Sequence, residues 1–443
     1  MALDAVPLLL SVIVRVLAIY GKWFLSRPEV ATPLNSWSRL TEGVYLYNKG
    51  TTFSNPLEVH ETFSGLSPYD GVVFHETPLT LVVFSVLGCD PAILSWLFII
   101  GDLLTALILF KVGEVVSKQT LLAEDAAVSA GLYHSEAKSL LSSLATSITL
   151  PRLMALAYLI NPYTIASCSA LTSTVWTNLL LATYLYSLVR GQMVLGCVSL
   201  ALASYQSLYP ILLVIPLTLS LYQQRPSLST VLTVIATFLA AFSFLQLVSF
   251  QITGSWSYLN SVYGFILTVP ELTPNMGIFW YFLTEMFDHF RVFFICTLQI
   301  NLILYVAPLS IRFPDQPLLL STVIIGLIAV FKSYPGIGDV GFFLALLPLF
   351  SNLLPFMKQT FIILCMLIFT SVLAPIAWQL WIYNNSANAN YYFAINLVYS
   401  TAQIFLITDL LFGHLKRQFH LKNGFSILEK EDKNGEKPIL YLK

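Results

Sequence analysis

Charge is what this 443-residue chain has least of. Asp, Glu, Lys and Arg make up 10% of it, against about 25% in a soluble domain. A water-soluble globule is therefore excluded. The net charge of -1 lacks the basic footprint that nucleic acid needs, so no nucleic-acid partner is expected. Five cysteines (Cys89, Cys168, Cys197, Cys296 and Cys365) are scattered through apolar runs and show neither metal spacing nor a disulfide framework. Phosphate-cradling glycine motifs are missing, and so is a G-x-S-x-G elbow. Histidines do not pair at metal-ligand spacing, so neither a metal nor another cofactor is expected. Alternating polar and apolar residues, the mark of a membrane barrel, are absent too.

What fills the chain is apolar sequence, 57% of all residues. A run of about 20 such residues crosses a bilayer as a helix, and helices satisfy their own backbone hydrogen bonds in lipid. The expected fold class is an all-α polytopic membrane protein with eleven or twelve transmembrane helices. The first span covers roughly 5–25. It contains Arg15 and shows no small-residue cleavage site, so it reads as retained rather than as a signal peptide. A polar loop follows over 27–77. Residues 78–89 are too short to span and read as an interfacial or re-entrant helix. Asp90-Pro91 starts the second span, over 91–113, and 114–148 is the longest polar connection in the middle of the chain. From 149 onward apolar segments follow one another, broken at Asn161-Pro162, Tyr209-Pro210 and Pro335, among others. Residues 1–413 thus form one membrane domain, and 414–443 a polar, flexible tail.

Lysines and arginines near span ends set orientation. Lys416, Arg417 and Lys422 place the tail in the cytosol, and Lys111, Lys118, Lys138 and Arg152 place 114–148 there as well. The 27–77 loop and the hairpin tip at 384–390 then share the opposite, luminal side. Lys22, Arg27 and Arg39 run against this assignment.

Candidate functional residues gather in a few places. Glu285 and His289 are four apart, so they would share a helix face beside Asp288, in a stretch crowded with Phe279, Trp280, Tyr281 and Phe282. Either this is an interfacial aromatic belt whose acids face water, or it docks a partner helix or lipid headgroup. Asn384, Asn385, Ser386, Asn388 and Asn390 lie between two spans, flanked by Trp381 and Tyr383. Amides that both donate and accept suit a glycan headgroup; asparagine is also an ordinary turn residue. Lys332 and Asp339 flank a Pro/Gly break, as a phosphate contact or as a structural pair at a helix end. Tyr205-Gln206-Ser207-Leu208-Tyr209-Pro210 is a polar patch inside an apolar run, as helix–helix hydrogen bonding would use. Asp102 is an intramembrane acid, read as an anchor for the end of the second span.

Ser67-Pro68-Tyr69, Phe74-His75-Glu76-Thr77-Pro78, Asn161-Pro162-Tyr163-Thr164, Tyr205 to Pro210, Tyr263-Gly264-Phe265-Ile266, Phe279 to Phe282, Phe331 to Pro335 and Trp381-Ile382-Tyr383 together resemble one family. It is that of the U subunit of the glycosylphosphatidylinositol (GPI) transamidase. The resemblance runs almost end to end, with 51–65 as an insertion. That family is similar in turn to the lipid-carrier (GT-C type) mannosyltransferases of GPI assembly. Those place an Asp-x-Asp motif where this chain has Asn35-Ser36-Trp37. The resemblance therefore implies a transferase scaffold without its catalytic acids, embedded in the endoplasmic reticulum (ER) membrane. It implies a non-catalytic subunit that holds the GPI glycolipid or the attachment signal, with the chemistry in a separate caspase-like subunit. Other transamidase subunits and membrane lipids are the implied partners. By the same resemblance Asn388 and Asn390 become the leading GPI contacts, with Asn385, Tyr383, Trp381, Glu285, His289 and Lys332 around them. An active dolichol-phosphate-mannose transferase and a lipid transporter or scramblase are the competing readings.

Overall fold

A computed structural model describes residues 5–25, 27–52, 67–88 and 90–425. Most of the 51–65 insertion, Cys89 and the last residues of the tail lie outside this set. Among the described residues there is no strand. The helices used below are α1 (Ala5–Tyr20), α2 (Trp37–Thr52), α3 (Pro78–Leu87), α4 (Pro91–Ser129), α5 (Leu144–Leu159), α6 (Pro162–Ser169), α7 (Thr174–Arg190), α8 (Met193–Ser207), α9 (Val214–Gln224) and α10 (Leu228–Thr253). After a broken stretch come α11 (Phe279–Thr284), α12 (Asp288–Arg312), α13 (Pro317–Phe331), α14 (Ile337–Leu346), α15 (Thr360–Trp378) and α16 (Ala389–Asn423).

Six helices are long and apolar enough to cross a bilayer by themselves: α4, α10, α12, α14 with its continuation to Phe356, α15 with its continuation to Tyr383, and α16. Shorter apolar helices, α1, α8 and α13 among them, fill the segments that proline and polar breaks divide. The chain is a polytopic helical membrane protein. Helix α4 packs along α5 and α7, α8 against α7 and α10, and α15 against α16. α10 and α12 are peripheral and largely unburied, as lipid-facing helices are.

Two segment boundaries differ from expectation. Helix α4 does not end near 113 but runs on to Ser129. Residues 114–129 are polar yet rich in good helix formers, and Lys118 pairs with Glu114 one turn back at 3.0 Å. Helix α16 likewise continues past 413 to Asn423. Its last turns are packed rather than loose: Arg417 donates to Glu124 at 2.7 Å, and the His134 amide donates to the Leu421 carbonyl at 2.9 Å.

Inside the apolar bundle, two polar nodes tie helices together. Arg15 of α1 donates to Asp102 at 2.8 Å, and Tyr158 donates to the other carboxylate oxygen at 2.7 Å. Asp102 is thus in the interior of α4, not an anchor at the end of a span. An unpaired charge there would cost about 3 kcal/mol or more. A second node forms where the Tyr205–Pro210 patch ends. The Tyr209 hydroxyl meets Ser333 at 2.7 Å and Gln299 at 3.0 Å, while Ser333 donates to the Ile266 carbonyl at 2.7 Å. The patch does tie helices together, and Leu208 within it takes a left-handed φ of 61° to make the turn.

Candidate functional site

The connection after α1 lies under the break before α14. The Ile337 amide donates to the Glu29 carbonyl at 3.1 Å. Asn35, in the connection between α1 and α2, is buried and engaged on both sides of its amide. Its oxygen accepts from the Thr32 amide at 2.6 Å and its nitrogen donates to Thr174 at 2.9 Å. It serves as a strut between the connection and α7. The neighbouring Arg39 grips Glu271 through two hydrogen bonds of 2.8 and 2.5 Å. Burial opposes ionisation of Glu271, but Arg39 outweighs it and holds the carboxyl below its usual range.

The Ser67–Thr77 stretch closes on itself. The Ser67 amide donates to Asp70 at 3.0 Å, and the Tyr69 hydroxyl donates to the Glu76 carbonyl at 3.1 Å. His75 stacks on Phe265 at 3.6 Å, its two ring nitrogens 2.8 and 3.0 Å from the Ser261 and Val72 carbonyls. Burial pushes its pKa down. Glu76 is buried, and desolvation pushes its pKa up to about 7. One of its carboxyl oxygens has no hydrogen-bond partner.

The asparagine hairpin lies against α11. Tyr281 donates to the Asn390 side-chain oxygen at 2.6 Å and stacks on Phe393 at 4.2 Å. Trp280, Trp378, Trp381 and Tyr392 form an aromatic cluster beneath, with Trp280 and Trp381 stacked at 6.2 Å. Asn388 caps α16, its side-chain oxygen accepting from the Asn390 and Tyr391 amides at 3.1 and 3.3 Å. Asn385 sits at φ 52°, a left-handed turn position that asparagine tolerates. Tyr383, Asn385, Asn388 and Asn390 are exposed.

Of the expected contacts, the fold brings together Trp381, Tyr383, Asn385, Asn388 and Asn390, with Glu285 one turn along from Tyr281. Glu285 and His289, both exposed, do not share a helix face: α11 stops at Thr284 and α12 begins at Asp288, with a bend between them. Lys332 stands apart from the hairpin. Its ammonium is 2.5 Å from Asp339, and both side chains are largely buried. Asp339 also accepts from the Gly336 amide at 2.9 Å, capping α14. The pair is structural in this arrangement.

Sequence reasoning passed over a cavity of about 660 Å³. Its walls come from the connection after α1 and from α5, α6, α14, α15 and α16, and they are mostly apolar. Leu156, Leu344 and Leu367 are among the lining residues, while Arg27 and Glu29 bring charge to it. Glu29 is 6% exposed, with Arg27 at 3.4 Å from one carboxylate oxygen and nothing on the other. Burial, opposed by Arg27, holds its pKa above the usual carboxylate range. The one available signal was an Arg-x-Glu pair directly after a span.

Comparison with known proteins extends the resemblance. Residues 8–399 match the profile of the family described as GPI transamidase subunit PIG-U. A human protein named GPI-anchor transamidase component PIGU is 36% identical, across 99% of this chain and 100% of its own length. The Saccharomyces cerevisiae GPI transamidase component GAB1 is 32% identical over 88% of each chain, and its Schizosaccharomyces pombe homologue is 28% identical over 89% of this chain and 91% of its own. With its helical bundle and near full-length match, this chain belongs to the PIG-U family of GPI transamidase subunits.

Proposed function

We propose that the chain is a non-catalytic, multi-pass subunit of a GPI transamidase in the ER membrane. It holds the GPI glycolipid, or the attachment signal, while a caspase-like cysteine subunit performs the exchange. The observation that carries this reading is the end-to-end kinship with proteins named as components of that complex. The site agrees with it. Sugar transfer needs a carboxylate at the reacting hydroxyl, and the position for it holds Asn35, already engaged as a strut. Glycan hydroxyls and phosphates would meet the exposed amides of Asn385, Asn388 and Asn390, with Trp381 and Tyr383 offering faces to sugar rings. Glu285 and His289 border that surface; Lys332 would contribute only by leaving Asp339.

Orientation follows from the same reading. Arg417 on Glu124 puts the C-terminal ends of α4 and α16 together, and Lys416, Arg417 and Lys422 assign that end to the cytosol by the positive-inside rule. The hairpin then faces the lumen.

Cells deprived of the chain should lose GPI-anchored surface proteins while complete, free GPI accumulates. Failure to form complete GPI would instead make it a biosynthetic enzyme. Glu42 on α2 is the first acid after Asn35, and mannose transfer by the purified chain, abolished by Glu42→Gln, would establish the transferase reading. Lipid flipping in liposomes without partners would establish the transporter reading.

A further inference from the structure

The cavity between α5 and α15 has a side entrance. Ile160, Ile368 and Val372 line it and are 58%, 57% and 56% exposed on the outer face of the bundle. In a membrane protein that face meets lipid tails, so an acyl chain reaches the interior without crossing water. The walls behind it are apolar, and about 660 Å³ is within the range of ligand pockets.

Polar groups occur where the cavity meets the connection after α1. One Glu29 carboxylate oxygen is taken by the Arg27 Nε, and the other is buried with no partner. A buried acceptor left unmade is costly, so a donor from outside the chain fits there. The Arg27 side chain is 26% exposed and keeps guanidinium donors beyond the one facing Glu29. The mouth thus presents one cation and one anion side by side.

We propose that this cavity seats a membrane aminophospholipid, with one acyl chain inside, its ammonium on Glu29 and its phosphodiester on Arg27. A zwitterion with N–H donors satisfies both groups and leaves the mouth neutral. A choline headgroup has no N–H to donate to the empty oxygen. An inositol phospholipid brings a phosphate with no cation, leaving a net negative charge in a site already poor in water. The inference does not rest on GPI recognition, because the cavity mouth and the asparagine hairpin share no residue.

The test uses the full chain purified from membranes and given phosphatidylethanolamine with a diazirine in one acyl chain. Phosphatidylcholine and phosphatidylinositol with the same chain are the comparison probes. Phosphatidylethanolamine should label peptides covering 156–163 and 364–375, at least about tenfold above the other two. Glu29→Gln should lower that preference about tenfold, the factor that follows from one charge-assisted hydrogen bond. Its backbone carbonyl, which accepts from Ile337, is untouched. Val372→Trp, on the exposed rim, should exclude all three lipids while the protein stays monodisperse. Should Glu29→Gln aggregate, Arg27→Gln replaces it and should lower labelling by all three lipids several-fold, since each offers its phosphodiester to Arg27. Equal labelling by the three lipids, preference for phosphatidylinositol, a preference unchanged in Glu29→Gln, or labelling unchanged in Arg27→Gln would overturn the proposal. If labelling behaves as stated while the chain fails to join a transamidase, the proposed function falls and the lipid seat stands.

Discussion

Asn388 has one observed contact and one proposed one, and substitution can separate them. Its oxygen caps α16, and its exposed amide nitrogen is available to a headgroup. Asn388→Ala should lower stability by about 1 kcal/mol through the lost cap. Asn388→Asp keeps the cap and exchanges the donor for a charged acceptor. If the amide contacts GPI, the Asp variant should melt like the parent while copurified GPI falls, read by lipid mass spectrometry beside a thermal shift. Glu76 gives a pH signature. Its folded pKa of about 7 lies above the unfolded value of 4.5, so the folded state holds the proton more tightly. Stability from this group is fully present below pH 4.5 and is lost as pH rises through 7, by about 3 kcal/mol. Melting temperature should fall between pH 5 and 8, and Glu76→Gln should flatten that fall. The identity of each such residue was legible in the sequence. Its partners were not, because Asn35 to Thr174 or Arg39 to Glu271 spans far more chain than any local pattern covers.

Helix existence was readable from hydropathy, and helix ends were not. Residues 114–129 are polar and read as a connection, but polarity marks exposure to water, not loss of helix. The bend between Glu285 and Asp288 was invisible for the opposite reason: neither Gly nor Pro marks it, and the four-residue spacing runs straight across it. The aligned ends of α4 and α16 supply a test. Glu124 accepts from Arg417 at 2.7 Å and from the Ser142 amide at 2.6 Å, and its side chain is 8% exposed. Glu124→Ala leaves a largely buried guanidinium without its anion, a loss of about 3–5 kcal/mol. The last turns of α16 should then fray, and limited trypsin digestion should cut after Lys416 and Arg417 faster than in the parent. Unchanged digestion would mean that the remaining contacts, Arg417 to the Leu140 carbonyl and His134 to the Leu421 carbonyl among them, suffice to hold the end.

Across the whole molecule, the overall architecture follows from composition, whereas the lipid-accessible cavity arises from five helices and a connection meeting. No stretch of sequence records that meeting. The same holds for Arg15 and Asp102, opposite charges set deep in two apolar runs, which together join α1 to α4. Asp102→Ala should destabilise the solubilised protein by about 3–5 kcal/mol, whereas Arg15→Met with Asp102→Leu should restore much of the loss, judged by thermal unfolding. The pairing also bears on biogenesis. A ribosome delivers Arg15 long before Asp102 emerges, so the newborn first helix must wait at the translocon with its guanidinium uncompensated. Stalled nascent chains ending ahead of residue 102 should leave that helix extractable by alkali, and chains long enough to release α4 should not.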